Sequence, residues 1–270
     1  MRLWLLPTLA LAAAVLPAGS AAAPNDWQLV WSDDFNGPRL DFTKWAVEEN
    51  AHGGGNNELQ FYTDRPQNVR VENGHLILEA RKEPHAQSGV TRDYTSGRIR
   101  TKHRADWTYA RVEIRAKVPK GRGLWPALWM LPTEEKYGGW AASGEIDIME
   151  LIGHEPHQVH GTLHFGGKWP RQKSAGKPFA LKKGTFADDF HTFSLEWEKD
   201  AFRWSVDGEL FHTATQWHSE GAPFPAPFDQ PFHLVLNLAV GGNWPGPPHA
   251  TTEFPARLLV DYVRVYQRKP

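Results

Sequence analysis

An all-β sandwich of two sheets, jelly-roll-like in its connections, is what this 270-residue chain predicts. Three observations predict it. Apolar and polar residues alternate in run after run; helical periodicity is nearly absent beyond the N-terminal stretch; and 21 prolines with 24 glycines punctuate the intervals, as suits many strands joined by loops. No internal repeat of fixed period occurs, which disfavours a propeller or a solenoid.

The first element, Met1 to about Ala23, reads as a leader: Arg2 supplies the charge, Leu3 to Leu16 the apolar stretch, and Ala18-Gly19-Ser20-Ala21-Ala22-Ala23 a small-residue cleavage region. The apolar stretch is short for a membrane span. The expectation is an exported protein cleaved near Ala22, with one domain over residues 24–270. The chain has no cysteine, so its stability must come from a large core rather than from disulfides. A formal net charge of -1 without a basic cluster argues against nucleic acid or an anionic membrane as partner.

Strand candidates follow in order. His75 to Arg81 alternates Leu76, Leu78 and Ala80 against Ile77 and Glu79, and Arg111 to Val118 alternates strictly between apolar and charged residues. Phe190 to Trp197 is similar. Phe202 to Val206 and Glu209 to Thr213 flank Asp207-Gly208, a dipeptide favoured in tight hairpins. His233 to Val240 and Arg257 to Tyr266 supply two more. The run from Trp125 to Trp129 is strand-like, but its prolines are expected to break the regularity.

One strand candidate carries chemistry. Gly144-Glu145-Ile146-Asp147-Ile148-Met149-Glu150-Leu151 interleaves three acids with large apolar side chains. Burying acids together pushes at least one pKa upward, which is what a general acid needs near neutral pH. Side chains on a strand alternate faces, so Glu145 and Asp147 share one face and Glu150 has the opposite parity. One extra residue, a β-bulge at Ile148-Met149, would return Glu150 to their side. A structural strand with solvent-facing acids is the plainer reading of E-x-D-x-x-E. The aromatic surroundings favour the functional one: the chain has 13 tryptophans, and Trp125, Trp129 and Trp140 stand just upstream of the acids. Tryptophan faces stack on the apolar face of a sugar ring while its hydroxyls need polar partners.

These residues carry a resemblance. Glu145-Ile146-Asp147-Ile148-Met149-Glu150, with Trp125-Pro126-Ala127-Leu128-Trp129-Met130 upstream and Val240-Gly241-Gly242-Asn243-Trp244-Pro245 downstream, resembles glycoside hydrolase family 16. Within it the match is to the bacterial endo-1,3-β-glucanases called laminarinases, and it runs from about Trp27 to Gln267. Asn56-Asn57-Glu58-Leu59-Gln60-Phe61-Tyr62, Ser96-Gly97-Arg98-Ile99 and Asp261-Tyr262-Val263-Arg264-Val265-Tyr266 resemble that branch in the same order.

The resemblance implies a curved, concanavalin A-like jelly roll with a substrate cleft on its concave face, and a retaining double displacement that needs no catalytic cofactor. It implies Glu145 as nucleophile, Glu150 as acid/base, and Asp147 between them tuning the charge of the pair. Met149 favours the laminarinase branch, hence β-1,3-glucan, with mixed-linkage β-1,3-1,4-glucan as a secondary substrate. By family position Trp125, Trp129, Trp140 and Trp244 would line the cleft, with Asn56, Arg98, His164 and Asn237 as hydroxyl or carboxylate partners; Arg98 reads equally well as a structural ion-pair partner. It also implies a structural calcium site, distant from catalysis, at Asp34, Gly74 and Asp261. Zinc on His154, His157, His160 and His164 is disfavoured, because only His160 and His164 share strand parity and no acidic or cysteine ligand is patterned with them. The expected protein is a secreted monomer. Two alternatives use the same site: a catalytically silent glucan-binding module, and a transglycosylase that shares the first chemical step.

Overall fold

The computed structural model describes residues 26–269. The expected leader lies outside the described residues. The strands, in chain order, are β1 (Trp27–Asp33), β2 (Ala46–Val47), β3 (Gln60–Tyr62), β4 (Val69–Glu72), β5 (His75–Gln87), β6 (Val90–Ser96), β7 (Arg98–Arg100), β8 (Ala110–Lys117) and β9 (Leu124–Pro132). They continue with β10 (Glu145–Glu150), β11 (Gln158–Phe165), β12 (Lys173–Ala180), β13 (His191–Trp197), β14 (Phe202–Val206), β15 (Glu209–Ala214), β16 (Phe232–Val240) and β17 (Ala256–Arg268). Among the described residues the helical content is one 3₁₀ turn, and no helix is long and apolar enough to cross a membrane.

The strands form two sheets of a jelly-roll sandwich. One has ten strands, in the order β15-β14-β13-β8-β17-β5-β6-β3, with β1 beside β17 and β4 beside β5; the other has seven, β12-β11-β10-β9-β16-β7-β2. All pairs are antiparallel except β3 with β6. Alternation builds the core between the sheets, as expected from the sequence. Val112, Ile114 and Ala116 of β8, Leu76, Leu78 and Ala80 of β5, and Phe193 and Leu195 of β13 pack against Leu128, Met130, Ile146, Leu163, Leu234 and Leu236 from the other sheet.

The expectation about prolines in β9 is corrected. Its ladder with β16 runs unbroken from Leu124↔Val240 to Pro132↔Phe232, so the strand is regular across Pro126. The carbonyl of Pro126 accepts Leu151 N on the β10 side, one step beyond the last β9–β10 pair at Ala127↔Glu150. The missing N–H therefore falls on the β10 side at the end of that ladder, and the β16 ladder loses nothing. Regularity places Trp125 and Trp129 half-exposed on one face while Leu128 and Met130 enter the core.

Candidate active site

The acids lie on β10, in the middle of the seven-stranded sheet, and the bulge is where parity required it. Against β11, Asp147 faces Thr162 and Glu150 faces His160, so Ile148 and Met149 are opposed by Gly161 alone; against β9, Asp147 faces Trp129 and Met149 faces Leu128. Ile148 and Met149 are consecutive and both buried in the core, so Glu150 returns to the face of Glu145 and Asp147. A bulge leaves backbone groups out of the ladder. Here the carbonyl of Asp147 accepts the indole N–H of Trp204, buried on β14 of the opposite sheet, at 2.8 Å. Gly161 of β11 admits that indole, because a β-carbon there would lie 2.5 Å from Trp204 Cδ1. Trp204→Phe is expected to leave this carbonyl unpaired and to lower stability by about 1–3 kcal/mol, read by denaturant unfolding.

Each outer acid is held by a tryptophan. Trp140 Nε1 donates to Glu145 Oε2 at 2.9 Å, and Trp125 Nε1 donates to Glu150 Oε1 at 3.0 Å. His164, paired across from Glu145 on β11, brings Nε2 to 3.3 Å from Asp147 Oδ2 and 3.8 Å from Glu145 Oε1. Asp147 Oδ2 itself is buried without a hydrogen-bond partner among the described residues. Burial pushes all three acids up to about 8. The charge of Asp147 adds to burial at Glu145 and at Glu150, while His164 and the tryptophan N–H groups oppose it at both. The three titrate as one coupled set, so the first proton to leave makes the next harder to remove.

Aromatic groups border both ends of the acid row. At the Glu150 end the Trp244 ring sits edge-on to Trp125, with centroids 5.6 Å apart, and to His160 at 5.1 Å. At the Glu145 end Trp140 tilts over His164 at 5.7 Å. On the β16 side Trp129 Nε1 donates to Asn237 Oδ1 at 2.7 Å, Asn237 Nδ2 donates to the Tyr62 hydroxyl at 3.2 Å, and Tyr62 donates to Glu58 Oε2 at 3.2 Å. Both ends of the Asn237 amide are thus engaged by protein groups. The Arg98 guanidinium lies over the Trp129 ring, 5.0 Å from its centroid, and pairs with Glu48 Oε2 at 3.1 Å. Asn56 sits at the rim: its side chain bonds to Gly54 O within its own loop, and its carbonyl accepts Asn243 N.

The structure therefore gathers Glu145, Asp147, Glu150, Trp125, Trp140 and His164 in direct contact, with Trp244 packed on Trp125 and with Trp129, Asn237 and Arg98 forming a neighbouring cluster. The sequence reading weighed His160 only as a disfavoured zinc ligand, and it missed Trp204, Glu58 and Glu48, which are tied to the site by long-range pairing. Among the described residues the one gathering of potential metal ligands is Glu145, Asp147 and His164, whose ligand atoms lie within 4.8 Å of one another, and neither His154 nor His157 joins it.

The three positions expected to hold calcium lie on the ten-stranded sheet and its loops. Asp34 Oδ1 accepts Arg264 Nη2 at 2.8 Å, and Asp261 Oδ2 accepts Arg115 Nη1 at 2.5 Å. Gly74 forms the turn between β4 and β5, where a β-carbon would lie 3.8 Å from Asn36 Oδ1.

Two half-buried carboxyls brought to one face by a bulge, each held by an indole and bordered by tryptophans, define a glycosidase of the two-carboxylate kind. The chain belongs to glycosyl hydrolases family 16, whose model matches residues 56–263. It is 47% identical to a glucan endo-1,3-β-glucosidase A1 of Niallia circulans over 89% of this chain and 38% of that longer protein. It is 46% identical to a β-glucanase of Rhodothermus marinus over 92% of this chain and 87% of the relative. The crystal structure of an endo-β-1,3-glucanase from Pyrococcus furiosus superposes with a TM-score of 0.82 at 43% identity, covering 90% of this chain and 95% of that one.

Proposed function

We propose that this protein is a secreted endo-acting β-1,3-glucanase that cleaves laminarin-like glucans, and mixed-linkage β-1,3-1,4-glucan secondarily, by retaining double displacement. The observation that carries this reading is the bulge: it returns Glu150 to the sheet face that carries Glu145, as a retaining pair of carboxyls about 5 Å apart needs. Glu145 attacks the anomeric carbon while Glu150 donates its proton to the glycosidic oxygen. The glycosyl-enzyme ester then yields to a water from which Glu150 takes a proton. Asp147 sits between them and tunes the charge of the pair through its own ionisation, and Trp125, Trp129, Trp140 and Trp244 supply stacking faces for successive sugars. Asn56, Arg98, His164 and Asn237 shape the polar side of the cleft, Asn237 acting through Trp129. Retained catalytic glutamates, both with indole partners, favour an enzyme over a silent glucan-binding module.

Hydrolysis of laminarin, barley β-glucan and agarose, followed by reducing ends and product size, tests the reading. Internal cleavage of laminarin with retained β-anomeric products is expected. Activity on agarose alone, or an inverted product anomer by NMR, would overturn it, and longer products than the substrate would move the protein to the transglycosylases.

The domain is read as residues 24–270, a monomer exported by the 1–23 leader. A calcium ion bound by a backbone oxygen at Asp34, the Gly74 carbonyl and the Asp261 carboxylate would have the all-oxygen donor set that suits a hard cation, and Asp261 Oδ1 carries no arginine hydrogen bond among the described residues. Added calcium is expected to raise the melting temperature and chelator to lower it, by a few degrees, with Asp261→Asn abolishing the difference. Equal melting in both conditions would remove the ion.

A further inference from the structure

Among the described residues Trp169 is the most exposed of the large apolar side chains, at 72%, yet its setting is tightly hydrogen-bonded. It occupies a corner of a tight turn closed by Arg171 N to Lys168 O at 2.8 Å. On one side the turn is braced by the 218–221 segment: Glu220 N donates to Gly166 O at 3.0 Å, and Arg171 Nη2 pairs with Glu220 Oε2 at 3.0 Å. On the other side it meets the loop that carries Trp140. Trp169 N donates to Trp140 O at 3.4 Å, and Gly138 lies so close to Lys168 that a β-carbon there would fall 2.8 Å from its Cε. A large ring held out to water from a turn fixed on two sides calls for a ligand, because an unconstrained surface position gains nothing from tryptophan.

Its location says which ligand. β11 ends at Phe165 and β10 begins at Glu145, so the turn and the Trp140 loop leave the sheet at the same end, beside the Glu145↔His164 pair. Trp140, itself exposed and bonded to Glu145, is continuous through the backbone with Trp169. Beyond His164, the edge strand β12 presents Ser174, Gly176 and Pro178 opposite His164, Thr162 and His160, a row without charge. We propose that Trp169 is a stacking platform that lengthens the cleft past Trp140 and holds a glucosyl unit of a long β-1,3-glucan, remote from the scissile bond. The proposal rests on the β-1,3-glucan reading given above. A platform of this kind acts on polymer binding and leaves bond cleavage alone.

The test compares wild type, Trp169→Ala and Trp169→Phe on laminarin and on a β-1,3-linked glucotriose. With Trp169→Ala, KM for laminarin is expected to rise about fivefold or more, with kcat within about twofold and the trisaccharide kinetics unchanged; Trp169→Phe restores most of the difference. A laminarin KM unaltered by Trp169→Ala, or an equal loss on both substrates, would overturn the platform while leaving the substrate reading intact. A wild type inert on β-1,3-glucan would overturn both.

Discussion

Glu145→Gln is expected to abolish hydrolysis of laminarin, lowering kcat by about 10⁴-fold or more, while the protein folds normally and still binds glucan. The amide keeps the shape of the carboxylate and can still accept the Trp140 N–H, so the loss falls on bond formation to the anomeric carbon. Small anions separate a nucleophile from a merely structural acid. With Glu145→Ala and an aryl β-glucoside of good leaving group, azide can enter the vacated space and displace the leaving group in one step. The expected product is the α-glycosyl azide, identified by NMR; a β-azide or no azide product would remove Glu145 from that role.

The same substitution carries a stability signature of opposite sign. Burial, followed by the charge of Asp147, raises Glu145 to about 8 in the folded protein, whereas the unfolded chain releases that proton near the ordinary 4.5. Between those values the folded state binds more protons than the unfolded one, so the stability this carboxyl supports is present below about 4.5 and declines as pH rises to about 8. Removing the ionisable group should raise stability by about 1–3 kcal/mol at pH 8 and by little at pH 4. Thermal melts of wild type and Glu145→Gln across that range check this. A variant less stable at pH 8 than at pH 4, relative to wild type, would refute it. The site is thus placed where chemistry gains and folding loses.

Much of this was legible in the chain because both sheets obey simple alternation. The Asp207-Gly208 hairpin falls on β14 and β15 with its first strand unchanged, and β8, β13, β16 and β17 lie within two residues of their expected ends. The bulge was legible for a different reason: three acids in one motif had incompatible parity, and one inserted residue was the least change that reconciled them. What stayed hidden was whatever depended on a partner distant in sequence. Trp204 is indistinguishable from any core tryptophan until β14 is set against the far side of β10, where its indole caps the carbonyl that the bulge releases. The chain from Glu58 through Tyr62 and Asn237 to Trp129 spans β3, β9 and β16 and has no local signature. Pro126 misled because a proline is forbidden only where a ladder needs its N–H, and sequence does not show where β10 ends.

Glu150→Gln is expected to lower laminarin hydrolysis by about 10²–10⁴-fold, and the loss should depend on the leaving group. A glucosyl alkoxide needs a proton as the bond breaks; a dinitrophenolate does not. On an aryl β-glucoside with such a leaving group the first step should stay near wild type and the glycosyl-enzyme should accumulate, seen as a burst of phenolate. Azide should then discharge that ester from the water side, giving the β-glycosyl azide, the opposite anomer from the Glu145→Ala product. The pH profile supplies an independent reading. Burial, then the charge of Asp147, raises Glu150 to about 8, so the wild-type rate should fall on the alkaline side as this proton is lost and on the acid side as the nucleophile gains one. In Glu150→Gln on the activated substrate only the acid limb should survive. An alkaline limb that persists there would mean that its proton belongs to Asp147 or to another group, and the division of labour between the two glutamates would have to be redrawn around it.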